Sequence, residues 1–173
     1  MNLEFDIPSG NENELNVVIE IQRGSRNKYE YDKKGYFKLD RVVPEPLVYP
    51  CDYGFVPSTL CEDGDSLDVC LINRDSFPQG CIVTCRIVGM FIMNDSGETD
   101  NKLICVPKDD PYFDEIRDIK DVPKQFCVEV KYFMEHYKDL KNKKVTVGDF
   151  LSAKEAKKEL EKSIKTFQEK HKH

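Results

Sequence analysis

Three aspartates stand within residues 63–68, and this stretch points most directly to chemistry. On a straight strand the side chains of Asp63 and Asp65 would share one face, and that of Asp68 would lie on the other. Gly64 and Ser66 favour a turn, which could rotate all three carboxylates toward one point. Two unit charges about 4 Å apart repel by roughly 4 kcal/mol at an effective dielectric of 20, so converging carboxylates need a cation. Oxygen ligands of this kind select magnesium, calcium or manganese.

The 63–68 stretch has two other interpretations. It could be an ordinary polar surface turn, which an isolated pattern of this kind often is. It could also be an EF-hand calcium loop, which requires acids at positions 1, 3 and 5, glycine at 6 and glutamate at 12. Counted from Asp63, the fifth, sixth and twelfth positions are Leu67, Asp68 and Arg74, so the EF-hand interpretation fails.

A second acidic turn covers residues 95–100, and Lys102 follows it. By itself it predicts a hairpin loop, but it could also supply the other half of a metal site. Lys28 and Glu30 alternate along a strand-like segment and should share a face. Further charged, phenolic and imidazole candidates are scattered through the chain: Glu20, Arg41, Tyr49, Tyr53, His136, Tyr137 and Lys138.

Other catalytic chemistries have little support in the sequence. It contains no G-x-x-x-x-G-K-[ST] phosphate loop, no G-x-G-x-x-G and no H-E-x-x-H motif. A nucleophile paired with histidine would depend on His136, since the other two histidines are at the C-terminus. Metal-assisted hydrolysis needs only the carboxylates, cations and tyrosines that are present.

The composition indicates a single domain, residues 1–173, with an ordinary core, since 39% of the residues are hydrophobic. The formal net charge of −6 does not favour nucleic acid or a membrane surface as a partner. No stretch approaches the roughly 18 to 20 apolar residues that would span a bilayer. The acidic start is not typical of a secretory signal, and the seven cysteines, an odd number, predict reduced thiols. We therefore expect a cytoplasmic protein that binds neither nucleic acid nor membrane.

The elements that must position these residues change in type along the chain. Strands are predicted at residues 16–21, 28–31, 36–41, 67–72, 81–93 (interrupted at Gly89) and 102–106. Helical spacing of apolar residues predicts a helix over 122–140, with Pro123 in its first turn. A second helix is predicted over 152–168, with Ser152 as its cap and Glu155 three residues later. Short strands followed by two helices favour a mainly β fold with α-helices outside a small barrel.

In order along the chain, these segments resemble family I soluble inorganic pyrophosphatases of the bacterial type. The resemblance covers about residues 16–149. It rests on the D-G-D-x-x-D-V core from Asp63, the Y-P-C-x-Y-G segment from Tyr49, and the E-H-Y-K-D-L segment from Glu135. It implies a five-stranded barrel of the oligonucleotide-binding (OB) type with two main helices packed outside. It also implies magnesium-dependent hydrolysis of pyrophosphate to two orthophosphates.

The resemblance further implies a role for each matching position. Asp65 would be the general base, and Tyr53, Lys28 and Arg41 would act with it in catalysis. Several magnesium ions per site would be held by carboxylates: Asp63, Asp68, Asp100, Asp95, Glu20 and Glu30. The two phosphoryl groups would be bound by basic and phenolic side chains: Lys28, Arg41, Tyr53, Lys102, Tyr137 and Lys138. Tyr49 would line the same cavity.

Chains of this length in the family are usually homohexamers, and His136 would then lie near a subunit contact. Three positions depart from the family pattern: Ser66 replaces a frequent proline, Ser96 replaces a frequent acid, and a tryptophan is missing near Lys144. Two alternatives to the enzyme are a non-catalytic OB-type binding module and an inactive relative of the pyrophosphatases.

Overall fold

The computed structural model describes residues 1–172. Within them are nine strands: β1 (Leu15–Ile21), β2 (Asn27–Asp32), β3 (Tyr36–Val42), β4 (Asp52–Phe55), β5 (Asp68–Leu71), β6 (Ile82–Asp95), β7 (Glu98–Thr99), β8 (Lys102–Pro107) and β9 (Val145–Ser152). The two α-helices are α1 (Lys124–His136) and α2 (Ala153–Lys170). Three short 3-10 helices cover Pro111–Phe113, Ile119–Asp121 and Asp139–Lys141.

Five strands close into a ring, as the resemblance implied. β1 pairs with β4, β4 with β5, β5 with β8, β8 with β6, and β6 again with β1. All of these pairs are antiparallel except β5–β8, which is parallel. The mainly β fold with two main helices is therefore confirmed. The ring brings the first residues of β5 and β8, Asp68 and Lys102, side by side.

The strands of the ring are buried on both faces, which explains their apolar composition. In β8, Leu103 and Cys105 belong to one core cluster, and Ile104 and Val106 belong to another. Helix α2 packs against the first cluster and α1 against the second. Burial of apolar surface on both faces is the main favourable contribution to the folding free energy of such a ring.

The predicted break of the long strand at Gly89 is wrong. β6 is one continuous strand of 14 residues, and the register with β8 shifts between Ile87 and Gly89. A Cβ atom on Gly89 would lie 2.9 Å from the carbonyl oxygen of Leu151 in β9. The glycine therefore marks a bulge with a close backbone approach, not a strand end.

Helix α1 is shorter than the predicted 122–140. Pro123 is at its N-cap, not in its first turn, and the helix ends at His136. The 3-10 helix after it stops at Asn142, whose φ of 56° is left-handed. The helix predicted over 152–168 corresponds to α2. It starts after Ser152, whose hydroxyl accepts from the backbone N–H of Glu155.

Strands β4, β7 and β9 were not predicted. β4 and β7 are short, and β9 lies between the helices, where its pairing depends on β6 far away in sequence. The β2–β3 hairpin forms a separate two-stranded sheet, in which Lys28 is opposite Arg41. In the part of the chain that the structure describes, we find no helix with the length and apolar character needed to cross a membrane.

Candidate active site

The acidic stretch forms the turn that Gly64 and Ser66 predicted. Gly64 has a φ of +87°, which glycine adopts without strain. The backbone N–H of Asp65 donates to Asp63 Oδ1 at 3.0 Å, and that of Cys61 donates to the Asp65 carbonyl at 2.8 Å. The turn thus brings Asp63 and Asp65 to the same side as Asp68, the first residue of β5.

All three aspartates face a cleft of about 500 Å³. The predicted carboxylates all lie on its wall: Glu20, Glu30, Asp63, Asp65, Asp68, Asp95 and Asp100. Most of the predicted cations and tyrosines lie there too: Lys28, Lys102, Lys138, Tyr53 and Tyr137. Side chains from β1, β2, β4, β5, the end of β6, the start of β8 and the residues just after α1 therefore meet at one place.

Lys102 lies at the centre of the acidic wall. Its ammonium donates to Asp68 Oδ2 at 2.6 Å and to Asp100 Oδ1 at 2.7 Å. The Tyr53 hydroxyl also donates to Asp68 Oδ2, at 2.8 Å. Asp68 thus accepts hydrogen bonds from two side chains of the cleft.

Lys28 and Lys138, two further cations of the wall, are also paired with acids. Lys28 donates to Glu30 Oε1 at 3.1 Å, which confirms that the two residues share a face, and to Asp40 Oδ2 at 2.9 Å. Lys138 donates to Asp95. Burial opposes the charge on Lys28, but Asp40 and Glu30 raise its pKa above the usual value.

Two carboxyl groups of the cleft bind protons more tightly than usual. Partial desolvation, and then the negative charges of Asp63 and Asp68, raise the pKa of Asp65 to about 6. Burial, and then the charge of Asp68, raise the pKa of Glu20 to about 8. The Glu20 carboxyl accepts from the backbone N–H of Tyr31 at 2.9 Å. Both shifts reflect crowded negative charge in a shielded space.

The resemblance implied that Arg41 and Tyr49 would lie at the cleft, but neither residue lies on its wall. The Arg41 guanidinium carbon lies 5.2 Å from the ring centre of Tyr137, which is on the wall. Arg41 Nη2 is buried without a hydrogen-bond partner among the described residues. Tyr49 is buried behind Tyr53, with their ring centres 5.7 Å apart, because it packs on Phe133 of α1.

The carboxylate oxygens of the wall are suitable ligands for a hard divalent cation, although they are not arranged around one. Carboxylate oxygens are the ligands that magnesium prefers. Within residues 1–172, no three acidic, histidine or cysteine side chains converge closely enough to enclose a metal ion. At Asp68 and Asp100 the ammonium of Lys102 takes the place between the carboxylates. The chemistry of the ligands therefore supports a metal site, and their present arrangement is an internal ion pair.

Several wall residues were missed by the sequence reasoning: Glu4, Tyr29, Tyr31, Lys33, Glu98 and Lys143. With them, nine acidic side chains face five basic ones, a formal excess of four acidic groups. The pattern at Lys28 and Glu30 could have pointed to neighbours on the β2–β3 hairpin, but nothing in the sequence singled out Glu4. His136 is on the surface beside Tyr132, and its Nδ1 lies 2.7 Å from Asp139 Oδ2.

The seven cysteines are free thiols, as predicted. Cys51, Cys70, Cys85 and Cys105 are buried, and the other three are half-buried. They pack as small apolar side chains.

Residues 17–168 match the family model described as inorganic pyrophosphatase. The inorganic pyrophosphatase of Geobacillus stearothermophilus is 44% identical over 156 residues, covering 90% of this chain and 94% of that protein. A soluble inorganic pyrophosphatase of Oryza sativa subsp. japonica is 44% identical over 154 residues, covering 88% and 72%. The crystal structure of the Thermus thermophilus inorganic pyrophosphatase superposes with a TM-score of 0.93 at 41% identity, covering 97% of this chain and 99% of that one.

Proposed function

Because the chain belongs to the inorganic pyrophosphatase family, we propose that it hydrolyses pyrophosphate to two orthophosphates, with magnesium as its metal and Asp65 as its general base. The chain is thus an enzyme, a hydrolase. The convergence of seven predicted carboxylates with Lys28, Lys102 and Lys138 in one cleft supports the proposal most directly. A polyanionic substrate could enter a cleft with this excess of negative charge only together with cations.

Carboxylates of the cleft would hold several magnesium ions. Asp63, Asp68 and Asp100 would bind the first, and Asp68 would also reach a second. Glu20, Glu30 and Asp95 would hold the others, in part through water. Magnesium, when bound, would acidify a coordinated water and neutralise charge on the phosphates. Lys102 would then exchange its present partners for a phosphate oxygen, because the carboxylates that now bind it would be occupied.

Asp65 would take the proton of the attacking water. Its side chain is exposed to the cleft, between the turn glycine and Ser66, and no cation of the described residues is paired with it. A free carboxylate is a better proton acceptor than one that already binds a lysine, as Asp68, Asp95 and Asp100 do. Magnesium acidifies water less than zinc does, so a nearby base is needed.

The cations and tyrosines would bind the two phosphoryl groups. Lys28, Lys102, Lys138, Tyr53 and Tyr137 are on the wall, and Arg41 is next to Tyr137. The buried, unpartnered Nη2 of Arg41 supports an anionic ligand, since a buried donor without an acceptor costs about 1–3 kcal/mol. These groups would stabilise negative charge on the leaving phosphate.

The test is orthophosphate release from pyrophosphate by the purified protein, with magnesium or with a chelator. We expect release that requires magnesium and that Asp65→Asn reduces by about 10²- to 10⁴-fold. Glu62→Gln is the matched control, because it removes an exposed carboxylate of the same turn that is not on the cleft wall.

Each part of the proposal can fail separately. No release by folded wild-type protein would exclude the reaction, and the inactive relative would then be the better interpretation. Release that persists in the chelator would exclude the metal. Near wild-type turnover of Asp65→Asn at neutral pH would exclude Asp65 as the base.

We also propose that the chain works as a cytoplasmic homohexamer without nucleic-acid or membrane partners. Free thiols fit a reducing compartment. Val128 and Tyr132 of α1 are more than half exposed, as is Leu140, and they surround His136 in sequence. Such apolar exposure fits a subunit contact. Light scattering at several concentrations would test it, since a monomer throughout would exclude the hexamer.

A further inference from the structure

The N-terminal segment, residues 2–6, crosses one end of the cleft and is fastened on both sides. On the hairpin side, the Leu3 N–H donates to the Tyr31 hydroxyl, and the Asn2 amide donates to the Lys33 carbonyl, both at 2.8 Å. On the other side, the Ser58 N–H donates to the Glu4 carbonyl at 2.8 Å. The segment therefore joins the β2–β3 hairpin to the loop that leads into the acidic turn.

Glu4 points from this segment into the cleft. It is a buried acid on the wall, 8% exposed. Its Oε1 accepts from the hydroxyl of Ser66 at 3.1 Å, across 62 positions of the chain. Burying a carboxylate is costly unless it is hydrogen-bonded, so the hydrogen bond from Ser66 offsets part of the cost of burying Glu4.

Ser66 follows the proposed base, Asp65, and lies two residues before Asp68, where β5 begins. On either side the backbone is already held: the Asp65 carbonyl by Cys61, and the Leu67 N–H by the Thr59 hydroxyl at 2.9 Å. The Ser66 side chain has Glu4 as its partner. Glu4 thus adds a restraint from outside the turn at its centre, where the local hydrogen bonds leave the side chain unsupported.

We propose that Glu4 is a positioning residue that acts through Ser66 to hold the 63–68 turn in the geometry that binds the metal. This inference rests on the proposed function, because it assigns magnesium to Asp63 and Asp68. The hydrogen bond also gives Ser66 a structural role, because a side chain without a hydrogen-bond donor at this position could not bond to Glu4.

The test compares Glu4→Ala, Glu4→Gln, Ser66→Ala and the double variant Glu4→Ala/Ser66→Ala in the full chain. Magnesium binding to the metal-free protein is measured by titration calorimetry, and hydrolysis is measured in parallel. Residues that orient metal ligands typically change affinity by 10- to 100-fold, so we expect each alanine variant to bind magnesium about 10-fold more weakly. The double variant should bind magnesium no more weakly than either single variant, because both substitutions remove the same contact. Glu4→Gln should stay near wild type, since its amide oxygen can accept from Ser66.

Asp6→Ala is the matched control, because Asp6 is an acid of the same segment that bonds only locally, to the Asn2 N–H at 2.6 Å. It should bind magnesium as the wild type does. Ser66→Ala leaves the other contacts of the segment in place, so it decides the question if Glu4→Ala does not fold.

Three results would overturn the inference: wild-type magnesium binding by Ser66→Ala, additive losses in the double variant, or equal losses in Glu4→Gln and Glu4→Ala. The last would mean that the charge of Glu4 acts on the metal directly. Failure of the proposed function looks different, because the wild-type protein itself would then release no orthophosphate.

Discussion

Lys102 Nζ lies 2.6 Å from Asp68 Oδ2, and the lysine side chain is only 2% exposed. A second acid, Asp100, is 2.7 Å from the same ammonium. Burial disfavours the charge, but the two carboxylates outweigh it and raise the pKa of Lys102 above the usual value. One buried cation therefore holds together two acids that repel each other, and it does so at the proposed metal site.

Replacing Lys102 by methionine should make stability depend on magnesium. Breaking a buried ion pair leaves an unpaired charge and costs about 3–5 kcal/mol, so we expect the free energy of unfolding to fall by that amount in chelator. Magnesium should reduce the loss, because a ligand that binds only the folded state stabilises it. Urea unfolding with and without magnesium measures both. Lys108→Met, at the more exposed pair with Glu14, is the control; an equal deficit of Lys102→Met in both conditions would contradict the prediction.

Replacing Arg41 by lysine should weaken substrate binding although the charge is kept. The guanidinium has a buried Nη2 without a partner and lies over Tyr137, and an ammonium reproduces neither its planar donors nor its stacking. We expect KM for pyrophosphate to rise about 10-fold, the effect of roughly one lost charged hydrogen bond. Steady-state kinetics at saturating magnesium provides the measurement. An unchanged KM and kcat would show that Arg41 does not contact the substrate.

Asp52 should be a structural acid, unlike the acids of the cleft. Although it belongs to the Y-P-C-x-Y-G segment, it is fully buried and accepts from four donors: Arg23 N at 2.8 Å, Asn73 Nδ2 at 2.6 Å, Ser76 Oγ at 2.5 Å and Phe77 N at 2.8 Å. Asp52→Ala leaves these donors unsatisfied, and we expect a loss of about 3 kcal/mol in the free energy of unfolding. Denaturant unfolding gives that value. The kcat of the folded fraction should not change, and a large drop in it would place Asp52 in the catalytic machinery.

The buried cysteines should resist alkylation in the native protein. Burial raises the pKa of Cys85 and of Cys105, so at pH 8 little of either thiol is the reactive thiolate. We expect iodoacetamide to modify none of the four buried thiols until the chain is unfolded. Among the half-buried thiols, burial also raises the pKa of Cys61 and of Cys127, so both should react more slowly than Cys81. Peptide mass spectrometry locates the label. Rapid native labelling of Cys85 or Cys105 would show that the core opens locally.

Much of the site could be predicted from the chain because its signals are local. The turn at residues 63–68 needs glycine with a positive φ at Gly64, and the alternation of Lys28 and Glu30 places both on one strand face. The helix starting after Ser152 was similarly marked by its cap. In each case the information lies within a few residues, where backbone geometry leaves few choices.

Errors arose where a longer-range contact overrides the local pattern. The apolar spacing over 122–140 predicts one helix, yet α1 ends at His136, the backbone of Lys138 leaves helical dihedrals at a φ of −120°, and a short 3-10 helix follows. β9 itself was not predicted, since its pairing of Val147 with Met93 exists only once β6 is in place.

The residues proposed to carry the chemistry could be identified from the sequence. They are the acidic turn and the lysines and tyrosines of segments that match the family in the same order. The contacts that these residues make with side chains far away in the sequence could be identified only from the tertiary structure. Ser66 donates to Glu4, Lys102 lies between Asp68 and Asp100, and the Arg41 guanidinium lies over the ring of Tyr137. These contacts join segments that are distant in the chain and that only the tertiary fold brings together, whereas residue type and spacing restrict only near neighbours in the chain.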